Sequence, residues 1–347
     1  MAESLQVNEH ISEMTSPLLE VRGVTKMYQV SSGFFGQNKH PVKALDNVTL
    51  QLGEGRTLGV VGESGCGKST LAKAIVMLER PTQGNVYFEG HDIYALQGDA
   101  LKDYRRQAQL IFQDPYSSLP VRMSVGTILT EPLAIHGIGT PQKRMERASH
   151  LLGLVGLDQK DLRRYPHMFS GGQRQRICIA RALALEPRLL ICDEPVSALD
   201  VSIQAQILRL LTDLQNQLKL TYMLISHDLR VIKYMCDELA VMYLGRVVET
   251  GDATGIYQKP LHPYTSALVR SIPSHGDVRK RGSRFSFLRG EVPSPLSAPN
   301  GCHFHPRCPL RAQLGAVDAA RCADEAPALR LVEAQHASAC HFAEKMG

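Results

Sequence analysis

The sequence contains no run of about 18 or more apolar residues, which is the length that a helix needs to cross a bilayer. We therefore expect no membrane-spanning helix. Residues 1–14 also lack the basic start and the apolar stretch of a signal peptide, so none is expected. The eight cysteines are accordingly expected in a reducing compartment, where disulfides are rare.

The chain also lacks a large excess of either charge, since its net charge is only +5 over 347 residues. This excess is compatible with a nucleotide or an anionic lipid as a partner and does not require nucleic acid. A basic run within 279–289 is interpreted as a solvated linker. The hydrophobic fraction of 44% is ordinary for a globular protein, and the length allows one to three domains.

The order of the predicted elements indicates the fold class. Short β-rich runs alternate with helix-like segments from residue 18, which predicts an α/β fold with a parallel sheet. Residues 116–169 are predicted to form a helical insertion. After about residue 255 the sequence becomes a loop-rich, Pro- and Cys-bearing tail, too poor in apolar residues for a core of its own and expected to need a staple. Residues 1–17 are polar and predicted to be disordered.

The strongest motif lies at residues 62–69, which read G-E-S-G-C-G-K-S between an apolar strand and a helix-like segment. Glycines allow backbone N–H groups to surround phosphate oxygens at a helix N-terminus. Lys68 is predicted to reach the β- and γ-phosphates and the Ser69 hydroxyl to bind Mg²⁺. The alternative is a plain Gly-rich turn. The predicted nucleotide-binding residues are Gly62, Ser64, Gly65, Cys66, Gly67, Lys68, Ser69 and Thr70.

Two carboxylates end a later apolar strand, L-L-I-C-D-E. A carboxylate there is costly unless it is paired or bound to a metal. Asp193 is predicted to hold Mg²⁺, and Glu194 to polarise the attacking water. This motif is weak in isolation and gains its weight from the phosphate-binding motif before it.

A second Gly-rich segment, Ser170-Gly171-Gly172-Gln173, precedes another helix-like stretch and is a further candidate anion site. An ordinary N-capped helix, with Ser170 as the cap, is the alternative. A single ATP does not need two such segments from one chain. Two chains packed head to tail could each contribute one segment to a shared ATP.

These motifs, together with Gln113 and His227, follow the order and spacing of the ATP-binding cassette family over residues 18–255. The resemblance implies a P-loop NTPase with a RecA-like core, an antiparallel β subdomain, the helical subdomain at about 116–169 and a small Cys-bearing C-terminal extension at 256–347. It also implies ATP hydrolysis.

The resemblance assigns roles to individual residues. Tyr28 resembles the aromatic residue that stacks on adenine, and Gln113 the loop glutamine that senses Mg²⁺ and water and couples to the membrane partner. Asp200 resembles the D-loop acid that crosses the dimer interface. His227 resembles the switch histidine at the γ-phosphate. Since Glu194 and His227 are both present, the site is expected to be catalytically competent.

Residues 261–268 and 289–309 resemble the extension found in ATPases of dipeptide, oligopeptide and nickel importers, with dipeptide-permease ATPases the best match. This resemblance implies a second ATPase subunit in a heterodimer, two transmembrane permease subunits, an extracellular or periplasmic solute-binding protein, and no nucleic acid. It places the chain at the cytoplasmic face of the bacterial cell membrane. Residues 118–122, S-L-P-V-R, depart from the expected Ser-Leu-Asn-Pro-Arg.

Four cysteines fall in the tail with the spacing C-x5-C-x13-C-x17-C, which lacks the short pairs of common zinc sites. A [4Fe–4S] cluster is the first interpretation, and the resemblance adds that some importer ATPases carry one here. Zinc is the second, and free thiols or a disulfide the third. The residues concerned are Cys302, Cys308, Cys322 and Cys340.

Cys66 lies just before a helix N-terminus, an environment that lowers a thiol pKa, and it is expected to be reactive. An inert small residue is the alternative at this position. For the whole chain, a soluble ATPase acting on DNA or ribosomes and a non-catalytic regulatory module were the other interpretations. The single cassette and importer-like tail disfavour the first, and the intact Glu194 disfavours the second.

Overall fold

The structure is a computed structural model that describes residues 16–32, 38–272, 291 and 293–346. The basic run at 279–289 and almost all of the predicted disordered segment 1–17 lie outside the described residues.

The first half of the chain contains, in order, β1 (Leu19–Ser32), β2 (Asn38–Leu52), β3 (Thr57–Val61), α1 (Lys68–Ile75), β4 (Gln83–Phe88), β5 (His91–Asp92), α2 (Gly98–Gln107), β6 (Ala108–Ile111), α3 (Pro115–Ser118), α4 (Val125–Ile135), α5 (Pro141–Leu154) and α6 (Gly171–Ala182). The second half contains β7 (Leu189–Asp193), α7 (Val201–Leu218), β8 (Thr221–Ser226), α8 (Leu229–Met235), β9 (Glu238–Tyr243), β10 (Arg246–Asp252), α9 (Ala253–Gln258), α10 (Pro263–Arg270), α11 (Ala316–Asp324), β11 (Arg330–Glu333) and β12 (His336–Ser338).

The larger sheet has the strand order β11-β12-β10-β9-β3-β8-β7-β6. Its centre, from β9 to β6, is parallel, as the alternation of strands and helices predicts. Three antiparallel strands, β10, β12 and β11, extend one edge. A smaller antiparallel sheet, β2-β1-β4-β5, packs beside it.

Both faces of the parallel sheet are buried, as their sequences indicate. In β8, Tyr222 and Leu224 belong to one apolar cluster, whereas Met223 and Ile225 belong to the other. Successive side chains of a strand point to opposite faces, so a continuous apolar run is needed where both faces are covered. The helices α4–α7 cover the first face, and α1 with the smaller sheet covers the second. Among the described residues no helix is long and apolar enough to cross a membrane.

The tail is attached to this sheet more firmly than its composition predicts. Its strand β12 pairs with β10, and Phe304 is buried against Tyr243 and Tyr264. The tail therefore shares the apolar core of the sheet instead of building its own. Composition could not show this, because Tyr243 and β10 lie outside the tail.

Glu249 of β10 fastens the tail from within. Its side chain is completely buried and accepts hydrogen bonds from the N–H groups of Leu261 and His262, at 2.6 and 2.9 Å. His336 Nε2 of β12 lies 2.7 Å from the same carboxylate. A buried carboxylate with three polar partners is strongly stabilised, and its loss leaves those partners unsatisfied.

We predict that Glu249→Ala lowers the free energy of unfolding by about 3 kcal/mol, because two buried N–H groups lose their acceptor. Chemical denaturation monitored by circular dichroism measures the loss. The control is Glu333→Ala, which removes an exposed carboxylate paired with Lys259 and is expected to leave the free energy of unfolding nearly unchanged. Equal losses in both variants would contradict the role given to Glu249.

Candidate ATP site

The Gly-rich loop follows β3 and ends at the N-terminus of α1, as predicted. Its glycines are required by space and by backbone conformation. A Cβ atom on Gly62 would lie 2.2 Å from the carbonyl oxygen of Met242, and Gly67 has a φ of 107°. Only glycine meets both demands without strain. The loop is therefore held closed against β9 and can surround a phosphate group.

Lys68 occupies the centre of this loop. Its Nζ donates to the carbonyl oxygens of Gly62 and Glu63, at 2.8 and 3.0 Å, and the side chain is buried. The ammonium group therefore lies on the inner side of the loop, where the phosphates are expected.

Asp193 ends β7 beside Ser69. Its Oδ1 is buried and has no hydrogen-bond partner among the described residues. Burial raises the pKa of the carboxyl group, and the Ser69 hydroxyl partly offsets this by hydrogen bonding. A buried carboxylate oxygen without a partner is a fitting ligand for a hard cation, and Asp193 with Ser69 suits the oxygen preference of Mg²⁺.

Glu194 is joined by both residues predicted to act with it. Gln113 Nε2 donates to one carboxylate oxygen at 2.9 Å, and His227 Nδ1 lies 3.1 Å from the other. Glu194 has a φ of 48°, which is uncommon for a residue other than glycine. The structure thus brings together the three predicted catalytic residues from the ends of β6, β7 and β8.

Tyr28 lies on the smaller sheet and is partly buried. Its hydroxyl pairs with the carboxylate of Glu79, and Lys26 Nζ lies 5.2 Å from the centre of its ring. Burial and the hydrogen bond to Glu79 raise the pKa of the phenol. Its predicted stacking on adenine stays a prediction.

The second Gly-rich segment caps α6. Ser170 Oγ accepts from the Gln173 N–H, and Gln173 Oε1 accepts from the Ser170 N–H, at 3.4 and 3.0 Å. This arrangement is a capping box, so the segment forms an N-capped helix with Ser170 as the cap, as the alternative interpretation predicts. A Cβ on Gly172 would lie 2.6 Å from the Ile203 side chain, which shows how closely α6 packs on α7.

The structure does not place this segment with Lys68. Helix α6 packs against α4, α5 and α7, whereas α1 packs against β2 and β7. Asp200 precedes α7, is exposed and makes no capping hydrogen bond with its side chain. Ser170–Gln173 and Asp200 are therefore surface features on other elements than the Gly-rich loop of residues 62–69.

The structure contradicts the expected lowering of the Cys66 thiol pKa, on which its predicted reactivity rests. The residue is 4% exposed, and burial raises the pKa of its thiol. Lys68 Nζ, 3.8 Å from Sγ, acts in the opposite direction and is outweighed. Sequence position suggested the favourable helix N-terminus, but desolvation of the thiolate depends on the tertiary packing.

The four tail cysteines line a single cavity with Phe304 and Phe342. Burial raises the pKa of all four thiols, to about 11 for Cys302 and about 12 for Cys340, and neighbouring cysteines add to the effect at Cys302, Cys308 and Cys340. All four are free thiols, which contradicts the disulfide alternative.

A single-ion site is not formed there. No group of three or more His, Cys, Asp or Glu in the described part of the chain has the spacing to hold a metal ion. The zinc alternative therefore has no assembled ligand set.

Sequence reasoning missed Glu63, Arg307 and Tyr264. Arg307 of the tail forms an ion pair with Glu63, the second residue of the Gly-rich loop, at 2.8 and 3.1 Å. The Glu63 N–H donates to the Tyr264 hydroxyl at 2.9 Å. The ion pair joins residues 244 positions apart, so no local pattern could have revealed it.

Comparison with known proteins identifies the class. Residues 45–197 match the ABC transporter family, and residues 248–313 match the family described as oligopeptide/dipeptide transporter, C-terminal region. The dimeric ATP-binding cassette MJ0796 bound to ADP and Pi is 29% identical with a TM-score of 0.59, covering 68% of this chain and 98% of its own. CbiO1 from Clostridium perfringens is 26% identical with a TM-score of 0.60, covering 70% of this chain and 92% of its own.

Whole-chain relatives narrow the class further. The Di/tripeptide transport ATP-binding protein DppF of Pseudomonas aeruginosa is 46% identical over 94% of this chain and 98% of its own length. The Oligopeptide transport ATP-binding protein AppF of Bacillus subtilis is 46% identical over 94% of this chain and 97% of its own. The chain belongs to the ATP-binding proteins of ABC transporters, and the predicted ABC ATPase fold with its importer-type tail is confirmed.

Proposed function

We propose that this chain hydrolyses ATP to energise the import of short peptides, dipeptides first and longer peptides or nickel as the alternatives. The observation that carries the proposal is the meeting of Gln113, Glu194 and His227 beside the Gly-rich loop, in a chain whose tail matches oligopeptide and dipeptide transporters. The similarity to DppF and AppF over almost the whole chain supports the peptide as the solute.

The side chains divide the chemistry between them. The loop N–H groups and Lys68 bind the phosphates. Ser69, Gln113 and Asp193 would hold Mg²⁺, which would screen the phosphate charge. Glu194 accepts a hydrogen bond from the attacking water and polarises it. His227, beside Glu194, stabilises charge on the γ-phosphoryl group as it is transferred from ADP to that water. Tyr28 supports the adenine ring.

The active unit is proposed to be a pair of ATPase subunits. Ser170–Gln173 and Asp200 lie at surface positions away from the chain's own Gly-rich loop. In a head-to-tail pair they would complete the ATP site of the partner subunit, where the N-terminus of α6 favours an anion. The dimeric arrangement of MJ0796 supports this geometry. We propose a second, related ATPase as the partner.

A groove beside Gln113 is proposed to receive the permease. It has a volume of about 410 Å³ and lies between the larger sheet and α4. Three large apolar side chains on its rim are exposed, namely Leu78 by 59%, Phe112 by 44% and Ile135 by 75%. Exposed apolar surface of this extent marks an interaction site. Val121 belongs to the segment 118–122, whose sequence departs from the expected pattern. It is 60% exposed and lies close to Gln113 in sequence, so we expect it to alter the fit of the groove to the permease.

We propose that the chain docks through this surface on two transmembrane permease subunits, at the cytoplasmic face of a bacterial cell membrane. An extracellular or periplasmic solute-binding protein would deliver the peptide to those subunits. Nucleic acid has no part in the proposal.

The tail cavity is proposed to hold a [4Fe–4S] cluster ligated by Cys302, Cys308, Cys322 and Cys340. The lining of one cavity by all four of these cysteines supports this proposal. When bound, the cluster would staple four separate points of the tail together. Its role would be structural.

We predict that Glu194→Gln retains ATP binding and lowers the rate of hydrolysis by at least about 100-fold, because the amide cannot polarise water as the carboxylate does. A phosphate-release assay and ATP-binding measurements test this, and size-exclusion chromatography with ATP should show a trapped dimer. Glu325→Gln, an exposed glutamate paired with Arg321, serves as the control. Unchanged hydrolysis in the Glu194 variant would refute the mechanism.

We predict that Ile135→Glu weakens co-purification with the permease by about tenfold or more, since a charge would have to be buried in an apolar contact. The ATP affinity of the isolated chain should stay unchanged. Val317→Glu is a matched control, because Val317 is 84% exposed but lies on the tail. Equal co-purification of both variants would exclude this groove as the docking surface.

We predict that anaerobically purified protein contains about four iron atoms and four acid-labile sulfides per chain. Elemental analysis and the absorption spectrum measure this, and Cys322→Ser should lose the cluster. Cys236→Ser is the control, because Cys236 packs against the apolar core of the larger sheet and does not line the tail cavity. Zinc, or metal-free protein with an intact tail, would contradict the cluster.

A further inference from the structure

Arg307 approaches the phosphate-binding loop from the tail. Its two terminal nitrogens donate to the two carboxylate oxygens of Glu63, at 2.8 and 3.1 Å. The Arg307 side chain is only 6% exposed and that of Glu63 24% exposed. A two-pronged pair of this kind fixes both the position and the orientation of the carboxylate.

Glu63 is connected on its other side to the residue that is proposed to hold phosphate. Its carbonyl oxygen accepts from Lys68 Nζ at 3.0 Å, and its N–H donates to the Tyr264 hydroxyl at 2.9 Å. The side chain, the carbonyl and the N–H of this one residue are thus all engaged. A shift of Glu63 would therefore move the Gly-rich loop and a hydrogen-bond acceptor of Lys68 together.

The position of Arg307 is itself rigid. One of its nitrogens donates to the Tyr243 hydroxyl at 3.3 Å, and the Tyr243 ring packs on Tyr264 and Phe304 with centre distances of 4.7 and 5.3 Å. All three aromatic residues are buried. The guanidinium group is consequently held by a packed wall and not by a mobile surface loop.

The backbone around Arg307 is a short turn between two of the tail cysteines. The His305 N–H donates to the Cys302 carbonyl at 2.9 Å, and the Arg307 N–H to the Phe304 carbonyl at 3.0 Å. Cys308 follows directly. The tail thus presents Arg307 to the loop from a turn that is fixed at both ends.

We propose that Arg307 is a positioning residue for ATP binding, through which the C-terminal extension sets the affinity of the Gly-rich loop for ATP. Glu63 places a negative charge within the loop that receives the phosphates. Paired with Arg307, this carboxylate is neutralised and fixed in orientation. Without Arg307 its negative charge would repel the phosphates.

The test compares Arg307→Ala and Arg307→Lys in the full chain. Arg307→Ala should raise the dissociation constant for ATP and the KM for ATP by about tenfold, while kcat changes by no more than about twofold. The dissociation constant and KM of Arg307→Lys should lie between those of the unmodified protein and of Arg307→Ala, because lysine keeps the charge but not the two-pronged geometry. Titration calorimetry and steady-state kinetics supply these values.

Removing the charge on Glu63 should reverse the effect. Arg307→Ala combined with Glu63→Gln is expected to recover most of the ATP affinity that Arg307→Ala loses. Arg321→Ala is the matched control, since Arg321 lies on the same tail and pairs with Glu325 at a distance from the loop. Its dissociation constant and KM should not change.

Unchanged ATP affinity in a folded Arg307→Ala variant would overturn the proposal. A loss that Glu63→Gln fails to reverse would overturn it too, because it would show a general structural role. Thermal unfolding establishes that each variant is folded. If Arg307→Ala does not fold, the test uses Arg307→Lys, alone and combined with Glu63→Gln. None of these measurements depends on the transported solute, so failure of the peptide-import proposal would leave this inference standing.

Discussion

Parallel pairing of β3, β8, β7 and β6 is the constraint on which the site depends. Parallel strands end at the same edge of a sheet, so whatever follows each strand is collected there. The Gly-rich loop follows β3. Asp193 is the last residue of β7, and Glu194 comes directly after it. His227 follows β8, and Gln113 follows β6. Residues spread over more than a hundred positions thereby become neighbours without any long connecting structure.

This edge requires support from outside the parallel strands. The loop is closed against β9 and β2 at the two glycines that admit no side chain, Gly62 and Gly67. The tail adds the pair of Arg307 with Glu63 and the hydroxyl of Tyr264. The tail is in turn fastened by Glu249 and by the pairing of β12 with β10. A C-terminal segment of low apolar content thus becomes part of the wall of the ATP site.

Burial decides the chemistry of the cysteines. Cys66 has a lysine nearby and a helix N-terminus after it, yet its buried thiol has a raised pKa. The tail cysteines are also buried, but they face one shared cavity. Cys66 is a single buried thiol that packs inside the loop, whereas the other four cysteines line one cavity and form a candidate ligand set. The role of a cysteine in this chain therefore depends on the residues that surround it.

The sequence by itself determined the ABC ATPase class, the parallel core and the identity of Lys68, Asp193, Glu194 and His227 as a group, because these depend on local motifs and strand order. It failed at Cys66, Glu63 and Arg307. Desolvation and ion pairing between residues 244 positions apart depend on which surfaces meet, and only the tertiary structure decides that. The attachment of the tail was likewise decided there, since Phe304 packs on Tyr243 of β9, which does not belong to the tail.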